Sequence, residues 1–415
     1  MPELIPLRSF YYKIGKENPE KLKELVAPPY DVISEEELIE MKKNPDNICH
    51  IILPNTYKEA GNKLKQLINT NQLVHEKNRC ICIYGIEYKK PDTGESITRY
   101  GFVGLLKLVE IFPANDGVVP HEMTFTKFTE DRLNLIQETD SNFSPIFTIY
   151  NGNGTAEKLF NKYIHEIPFL QTQDRDGFIH KIWKVWEEED IKSFQDIVRK
   201  HSIIIADGHH RYITSLRHSR HGGCNYIMAL FIDFNDPGLI IYTNQRQVSN
   251  LPTKNLEELK QKLEDYFELK IIEDYNELKF LMKELKNEDK HVFGCYFQDY
   301  YLLLRLRDDI RPEREIQGKH SDEWKNLDLP ILHDILLTKC LSINPKDISY
   351  IKDVKMGLKN VDDGIIQALF IVNPTTLEEI HKITHLGEIM PQKSTYFYPK
   401  PLSGLIVHIH SNEIL

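Results

Sequence analysis

The chain has 415 residues, 41% of them apolar and 27% charged; that length suits two or three domains, and that composition excludes a disordered chain. A formal net charge of −10 argues against a large non-specific nucleic-acid surface and leaves room for a local basic patch. No apolar run reaches the ~20 residues of a membrane helix, and Met1-Pro2-Glu3-Leu4 opens without a basic region and apolar core, so a cytoplasmic protein without a secretory signal is expected.

In chain order, Val26-Ala27-Pro28-Pro29-Tyr30-Asp31-Val32 reads as a rigid, extended loop, because two prolines fix φ and remove two donors. Ser34 with Glu37 is a capping-box pattern opening a short helix, which Asn44-Pro45 closes. Ile48–Leu53 predicts a strand. Tyr57–Leu73 predicts a helix carrying Ala60, Leu64, Leu67 and Ile68 on one stripe. Cys80–Tyr88 and Ile97–Ile111 predict two strands joined through Pro91-Asp92-Thr93-Gly94. None of the six cysteines forms a C-x-x-C pair, and reduced thiols are expected.

Pro120–Lys127 is polar and has no period. A helix over Glu130–Glu138 and a strand over Ile146–Tyr150 follow, broken at Asn142-Phe143-Ser144-Pro145. Ile182–Val185 predicts a strand and Asp190–Lys200 a helix. Ser202–Ala206 is a short apolar strand of the kind buried on both faces. The helix Tyr212–Ser219 comes next, then Tyr226–Phe234 and Leu239–Tyr242 as a strand pair around Asn235-Asp236-Pro237-Gly238. Asn250-Leu251-Pro252-Thr253 is the expected domain boundary. It leaves a site-bearing region, 1–249, and an α+β region, 250–415, that covers the cleft. The second region predicts helices near Leu256–Tyr266, Glu277–Leu285 and Ile331–Leu341, a charged loop Asp308–His320 and an apolar strand Gly404–His410.

The chemistry concentrates at Ile203-Ile204-Ile205-Ala206-Asp207-Gly208-His209-His210-Arg211-Tyr212, where a buried strand runs through a glycine into a helix. The first helical N–H groups lack intrahelical partners and, with the helix dipole, favour an anion. Gly208 lets backbone approach that anion, and Arg211 offers a planar fork for phosphate oxygens. His209 is placed with the catalytic candidates and His210 with the phosphate-binding residues, while Asp207, also a catalytic candidate, can orient a histidine or hold hydrated Mg²⁺. A capped helix with solvated histidines is the plain alternative. His209, His210, His218 and His221 lie close in sequence, but adjacent histidines point apart. No acidic residue stands at zinc spacing from them, so a transition-metal site is not expected there.

The second candidate is Pro120-His121-Glu122-Met123-Thr124 with Lys127, Asp131 and Arg132. Glu122 can take a proton from a substrate hydroxyl with His121 beside it, and Lys127 and Arg132 can neutralise transferring charge. A solvated loop ahead of a charged helix start reads equally well. The third is Met390–Lys400, where lysines, hydroxyls and aromatics stand between prolines; it reads as a substrate lid, an RNA-contacting loop or an ordered inter-domain loop.

These motifs together resemble the domain-of-unknown-function family 1015 over nearly the whole chain. The residues that carry the resemblance are Val26–Val32, Asn44-Pro45 to Leu53-Pro54, Pro120-His121-Glu122 with Thr124, Asp131-Arg132, Ser144-Pro145, Ala206–Tyr212 and Met390–Thr395. The Asp207–Arg211 box also resembles the phosphate-binding box of the ParB/sulfiredoxin superfamily, some members of which are kinases of free serine. That resemblance implies an α/β fold with a ParB/sulfiredoxin-like core carrying large insertions. It further implies phosphoryl transfer to a small hydroxyl substrate such as serine from ATP, ADP or pyrophosphate, with Mg²⁺ and a glutamate base. A phosphatase of phosphoserine-type esters and a non-enzymatic, nucleotide-binding ParB-like regulator are the alternatives. Two departures stand out: Ile213 follows Tyr212 where the family usually has glutamate, and Thr243-Asn244-Gln245-Arg246 replaces a Pro-Thr-His-Arg string, Gln245 for the histidine. Arg246, the end of that string, is placed with the phosphate-binding residues.

Overall fold

The computed structural model describes residues 1–412 except 91, 92, 112–116, 123–125, 254, 298 and 299, and of 126–128 and 412 it describes the backbone alone. The turn expected at Pro91-Asp92 and the expected site residues Met123 and Thr124 lie outside the described residues. The chain divides into two units, Met1–Ile240 with Phe397–Leu415, and Ile241–Tyr396. Asn250–Thr253 falls inside the second of them. The class is mixed α/β.

In the first unit, helix α1 (Glu35–Lys42) starts on its capping box: Ser34 Oγ accepts from the Glu37 N–H while the Glu37 carboxylate accepts from Ser34 N at 2.8 Å. The run 48–53, expected as a strand, folds instead as helix α2 (Cys49–Ile52). Asn47 decides this. Its Oδ1 accepts from Cys49 N at 2.8 Å, and its Nδ2 donates to the carbonyls of Glu24 and Val26, turning the chain where a strand must stay extended. An apolar run this short has no period that separates the two outcomes. Helix α3 (Tyr57–Asn69) buries Ala60, Leu64 and Leu67 as expected, whereas Ile68 is exposed.

Among the described residues this unit holds a nine-stranded sheet. Its strands are β1 (Leu4–Ile5), β2 (Ile81–Lys89), β3 (Ser96–Lys107), β4 (Val118–Pro120), β5 (Ile146–Tyr150), β6 (Leu170–Gln173), β7 (Ile179–Val185), β8 (Ile203–Asp207) and β9 (Tyr226–Asp233). They run in the order β4-β8-β5-β9-β3-β2-β7-β6, with β1 on β3. The strand β9 lies between β5 and β3 rather than in a hairpin with 240–242, which corrects the expected strand pair. Most pairs are antiparallel; β4 with β8 and β5 with β9 are parallel. Helices α4 (Thr126–Thr139), α5 (Glu188–Lys200) and α6 (His209–Ser219) accompany it. The core forms where Phe102 stacks on Phe231 at 5.0 Å and meets Phe194 of α5 at 4.7 Å. The apolar strand expected over 404–410 reduces to His408–Ile409, paired with Ser141–Asn142, because Gly404 takes a φ of 83°.

The second unit holds a six-stranded antiparallel sheet of β10 (Gln245–Val248), β11 (Phe267–Ile272), β12 (Val292–Phe297), β13 (Tyr300–Leu306), β14 (Ile348–Ile351) and β15 (Ala368–Val372). Their order is β11-β13-β12-β15-β10-β14. Helices over Leu256–Leu263, Tyr275–Asn287 and Ile331–Cys340 stand where periodicity puts them. No helix of the described residues is long and apolar enough to cross a membrane.

Candidate active site in the first unit

Strand β8 is buried from Ile203 to Ala206, as an all-apolar strand between two neighbours requires. Its pairing with β5 slips at the end: Ile205 faces Thr148 and Asp207 faces Phe147, so Ala206 is the extra residue of a bulge. Bulges re-aim the side chain that follows, and here that side chain is Asp207. Gly208 then takes φ 93° and ψ 26°, and α6 begins with no side chain capping its N-terminus. Tyr212 fixes the first turn from below: its hydroxyl lies 3.0 Å from both the N–H and the carbonyl of Val109.

Arg211 is tied down on every side. Nη1 donates to Ser144 Oγ at 2.8 Å, to the Pro145 carbonyl at 2.9 Å and to the Ser144 carbonyl at 3.3 Å, and Nη2 donates to Asp207 Oδ2 at 3.0 Å. Lys400 completes the other side. Its Nζ bridges Asp207 Oδ1 at 2.5 Å and Asp31 Oδ2 at 2.8 Å. Burial alone would raise the Asp207 carboxyl; Lys400 and Arg211 overcome that and hold it at about 2. Burial pulls Lys400 the other way, and Asp207 with Asp31 raise it above the usual lysine value. The result is an alternating string, Asp31–Lys400–Asp207–Arg211, at the mouth of an uncapped helix.

His121 and His209 form a neutral pair behind it. The backbone N–H of His121 donates to His209 Nε2 at 3.3 Å, so that ring nitrogen keeps its lone pair and the neutral His209 ring carries its proton on Nδ1. His121 Nδ1 faces the Ile205 carbonyl at 2.6 Å, which can only accept, so that nitrogen is the protonated one. Burial lowers both rings, His209 well below the ordinary value; the charges of Glu122 and Asp207 pull His121 back only in part. Glu122 is half-buried and lies within electrostatic reach of the same His121 ring that feels Asp207.

Arg132 is buried with its charge on the neighbouring Asp131, donates to the Ile52 carbonyl at 2.9 Å and sits 4.2 Å over the Tyr30 ring. Lys127 is in the first turn of α4, its side chain outside the described residues. Between Tyr30, Arg132, Ser144 and Arg211 lies a cavity of about 60 Å³. Arg246 is in the second unit, fully buried on β10, with Nε on His333 Nε2 at 3.1 Å and Nη1 on the Asn244 carbonyl. Burial lowers its guanidinium to about 10.

Every motif behind the resemblance up to residue 212 thus contributes to one neighbourhood: the Pro-Pro-Tyr-Asp loop, Ile52, His121-Glu122, Asp131-Arg132, Ser144-Pro145 and the Asp207–Arg211 box. The family model described as protein of unknown function (DUF1015) matches residues 4–330. The chain belongs to that family. None of the curated proteins compared with it matches. Among solved structures, it is similar to a free serine kinase in complex with AMP at 16% identity, covering 72% of this chain and 91% of that one, with a TM-score of 0.35. A conserved hypothetical protein from Pyrococcus furiosus gives 16%, 72%, 94% and 0.33. SbnI with a C-terminal truncation, from Staphylococcus aureus, gives 14%, 71%, 82% and 0.33.

The two departures from the family pattern have structural roles. Ile213 packs half-buried against the core cluster of the first unit. Gln245 is buried; it accepts from Val372 N at 2.7 Å and donates to the Thr243 carbonyl at 3.2 Å, binding β10 to β15. Sequence reasoning did not single out Asp31 or Lys400 as site residues. The available signals were a carboxylate on a proline-fixed loop and a lysine closing the Met390–Lys400 segment. Gly208 carries a prediction. A Cβ there would stand 2.8 Å from Arg211 Nη2 and from Ile146 Cγ2, at a φ that L-residues rarely adopt. Gly208→Ala is expected to cost about 1–3 kcal/mol in urea unfolding; a loss within 0.5 kcal/mol, roughly the size of an ordinary surface change, would show that the turn relaxes freely.

Proposed function

We propose that the protein transfers a phosphoryl group between a nucleotide or pyrophosphate and a small hydroxyl metabolite, with serine and phosphoserine the leading pair, on a ParB/sulfiredoxin-like core. The observation that carries this is the uncapped N-terminus of α6, reached through left-handed Gly208 and flanked by Lys400 and Arg211. Such a terminus attracts phosphate through its N–H groups and dipole. The likeness of the Asp207–Arg211 box to that of the free serine kinases supports the same reading.

The residues divide the work. The helix N–H groups and His210 hold donor phosphates. Lys400 and Arg211 neutralise charge, at present shared with Asp207 and Asp31, so an incoming phosphate competes with carboxylates already in place. Asp207, held at about 2, is a fixed negative charge and a poor proton acceptor at neutral pH. Glu122 is the general base, and the neutral His121–His209 pair positions it. Asp207 and Asp31 offer the hard oxygens that Mg²⁺ takes, one or two carboxylates beside its waters; Mg²⁺ would neutralise charge on the donor phosphates. The test is an assay of the purified chain with serine against ATP, ADP and pyrophosphate with Mg²⁺, and in reverse from phosphoserine. Transfer in one pairing is expected, and hydrolysis of phosphoserine without a nucleotide would redirect the reading to a phosphatase. Absence of both transfer and hydrolysis in every pairing ends it.

A further inference from the structure

The opposite end of α6 carries a second cluster. His218 lies in its last turn, Asp140 directly follows α4, and His410 comes from the C-terminal segment. One ligand atom from each of the three lies within 4.8 Å of the others. Both rings address the same oxygen: Asp140 Oδ1 is 2.9 Å from His410 Nδ1 and 3.4 Å from His218 Nε2. A contact of 3.4 Å is long for a hydrogen bond, whose usual N···O range ends near ~3.2 Å. Yet ligands held at ~2.0–2.1 Å by tetrahedral Zn²⁺ stand roughly 3.3 Å apart, between the two observed spacings.

The ligand positions are fixed by groups outside the cluster. Asp140 adopts φ 45°, its N–H donates to the Ile136 carbonyl at 2.8 Å, and its own carbonyl accepts from His410 N at 2.9 Å. Gly223 leaves room for the His218 ring, since a Cβ there would stand 2.2 Å from His218 Cδ2. His410 is buried, and its Nε2 has no hydrogen-bond partner among the described residues. The nitrogen that faces the cluster is Nδ1, and it is the one an ion would take. Asp140 keeps 43% of its side chain exposed, so an ion and one water ligand can reach the cluster.

We infer that Asp140, His218 and His410 form a binding site for one divalent transition-metal ion, Zn²⁺ by ligand type. Two imidazoles select against Mg²⁺ and Ca²⁺, which take oxygen ligands. The ion binds each ring through a lone pair, so a neutral ring carries its proton on the other nitrogen and only an imidazolium releases one; binding weakens where falling pH protonates the rings. The site is structural: ten residues of helix, ~15 Å, separate His218 from Gly208. Its consequence is tethering, because the segment that ends in His410 also carries Lys400.

Chelator-stripped full chain is titrated with Zn²⁺ by calorimetry, and with Co²⁺ while following its visible absorption. One ion per chain is expected, with the intense Co²⁺ bands of a four-coordinate site. Since lost outer partners alone cost ~10–100-fold in affinity, His218→Ala and Asp140→Asn should each weaken binding at least 100-fold with an unchanged circular dichroism spectrum. His221→Ala, on the same helix end, should bind as the parent does. If His410→Ala fails to fold, the partly exposed His218 decides. No binding tighter than micromolar, or binding that survives both His218→Ala and Asp140→Asn, overturns the site.

Discussion

Lys400→Met is expected to lower the unfolding free energy by about 3 kcal/mol at pH 7, the low end of what breaking a buried pair costs. The lysine side chain is 7% exposed and lies between two carboxylates, so methionine fills its volume but strands Asp207 on one cation. Asp207 gives the same sign. A carboxyl moved from 3.8 to about 2 contributes about 2 kcal/mol of stability, shared between Lys400 and Arg211. The sign fixes the pH window. A depressed carboxyl contributes fully above its unfolded value and loses that contribution as pH falls from about 4 towards 2. The raised Lys400 contributes fully below its unfolded value of 10.5 and loses its share as pH climbs past it. The gap between parent and variant should therefore be widest from pH 5 to 9 and shrink at either end. Urea unfolding of both proteins at pH 7 and at pH 3 measures it. A gap below ~0.5 kcal/mol at pH 7 would place the bridge with ordinary surface pairs.

What the sequence made legible here depends on distance along the chain. The strand–glycine–helix turn was readable because its parts are consecutive: Ile203–Ala206 can only be buried, Gly208 breaks the chain, and α6 follows. Capping residues such as Ser34 declared a helix start for the same reason. The fate of 48–53 was not readable, because Asn47 settles it through carbonyls of Glu24 and Val26 that no window around residue 50 contains. Lys400 stands 193 positions from Asp207 and 369 from Asp31. The same limit applied to the histidines of α6. Local spacing shows no zinc motif among them, and the acidic partner of His218 comes from 78 positions upstream. The clamp on Arg211 was not readable, since the Ser144 and Pro145 carbonyls that occupy it come from β5's entry.

Glu122→Gln is expected to reduce turnover by ~10²–10⁴-fold, the contribution of a general base, while changing donor affinity little. That is ~3–5 kcal/mol of transition-state stabilisation. Glutamine keeps the size of the side chain and removes its charge and its ability to take a proton, so unchanged donor affinity is what assigns the loss to the proton step. Two carboxylates beside the box compete for the role. Asp207 is excluded by its own environment, because a group held at about 2 leaves little driving force for accepting a proton from a hydroxyl. Asp31 is spoken for by Lys400 at 2.8 Å. Glu122 adjoins the neutral His121–His209 pair, whose burial keeps it from adding a competing cation. Phosphoryl transfer asks little of protein beyond aligned oxygens, neutralised charge and a proton acceptor; this variant removes the acceptor and leaves the cations Lys400 and Arg211 in place. Steady-state rates with the pairing that proves active, alongside calorimetric affinity for the phosphate donor, separate the outcomes. A variant with full activity would leave the reaction class standing and move the base to Asp31, which Asp31→Asn then tests in the same assay. A variant that loses donor affinity as much as turnover would make Glu122 part of the phosphate site instead of the proton acceptor.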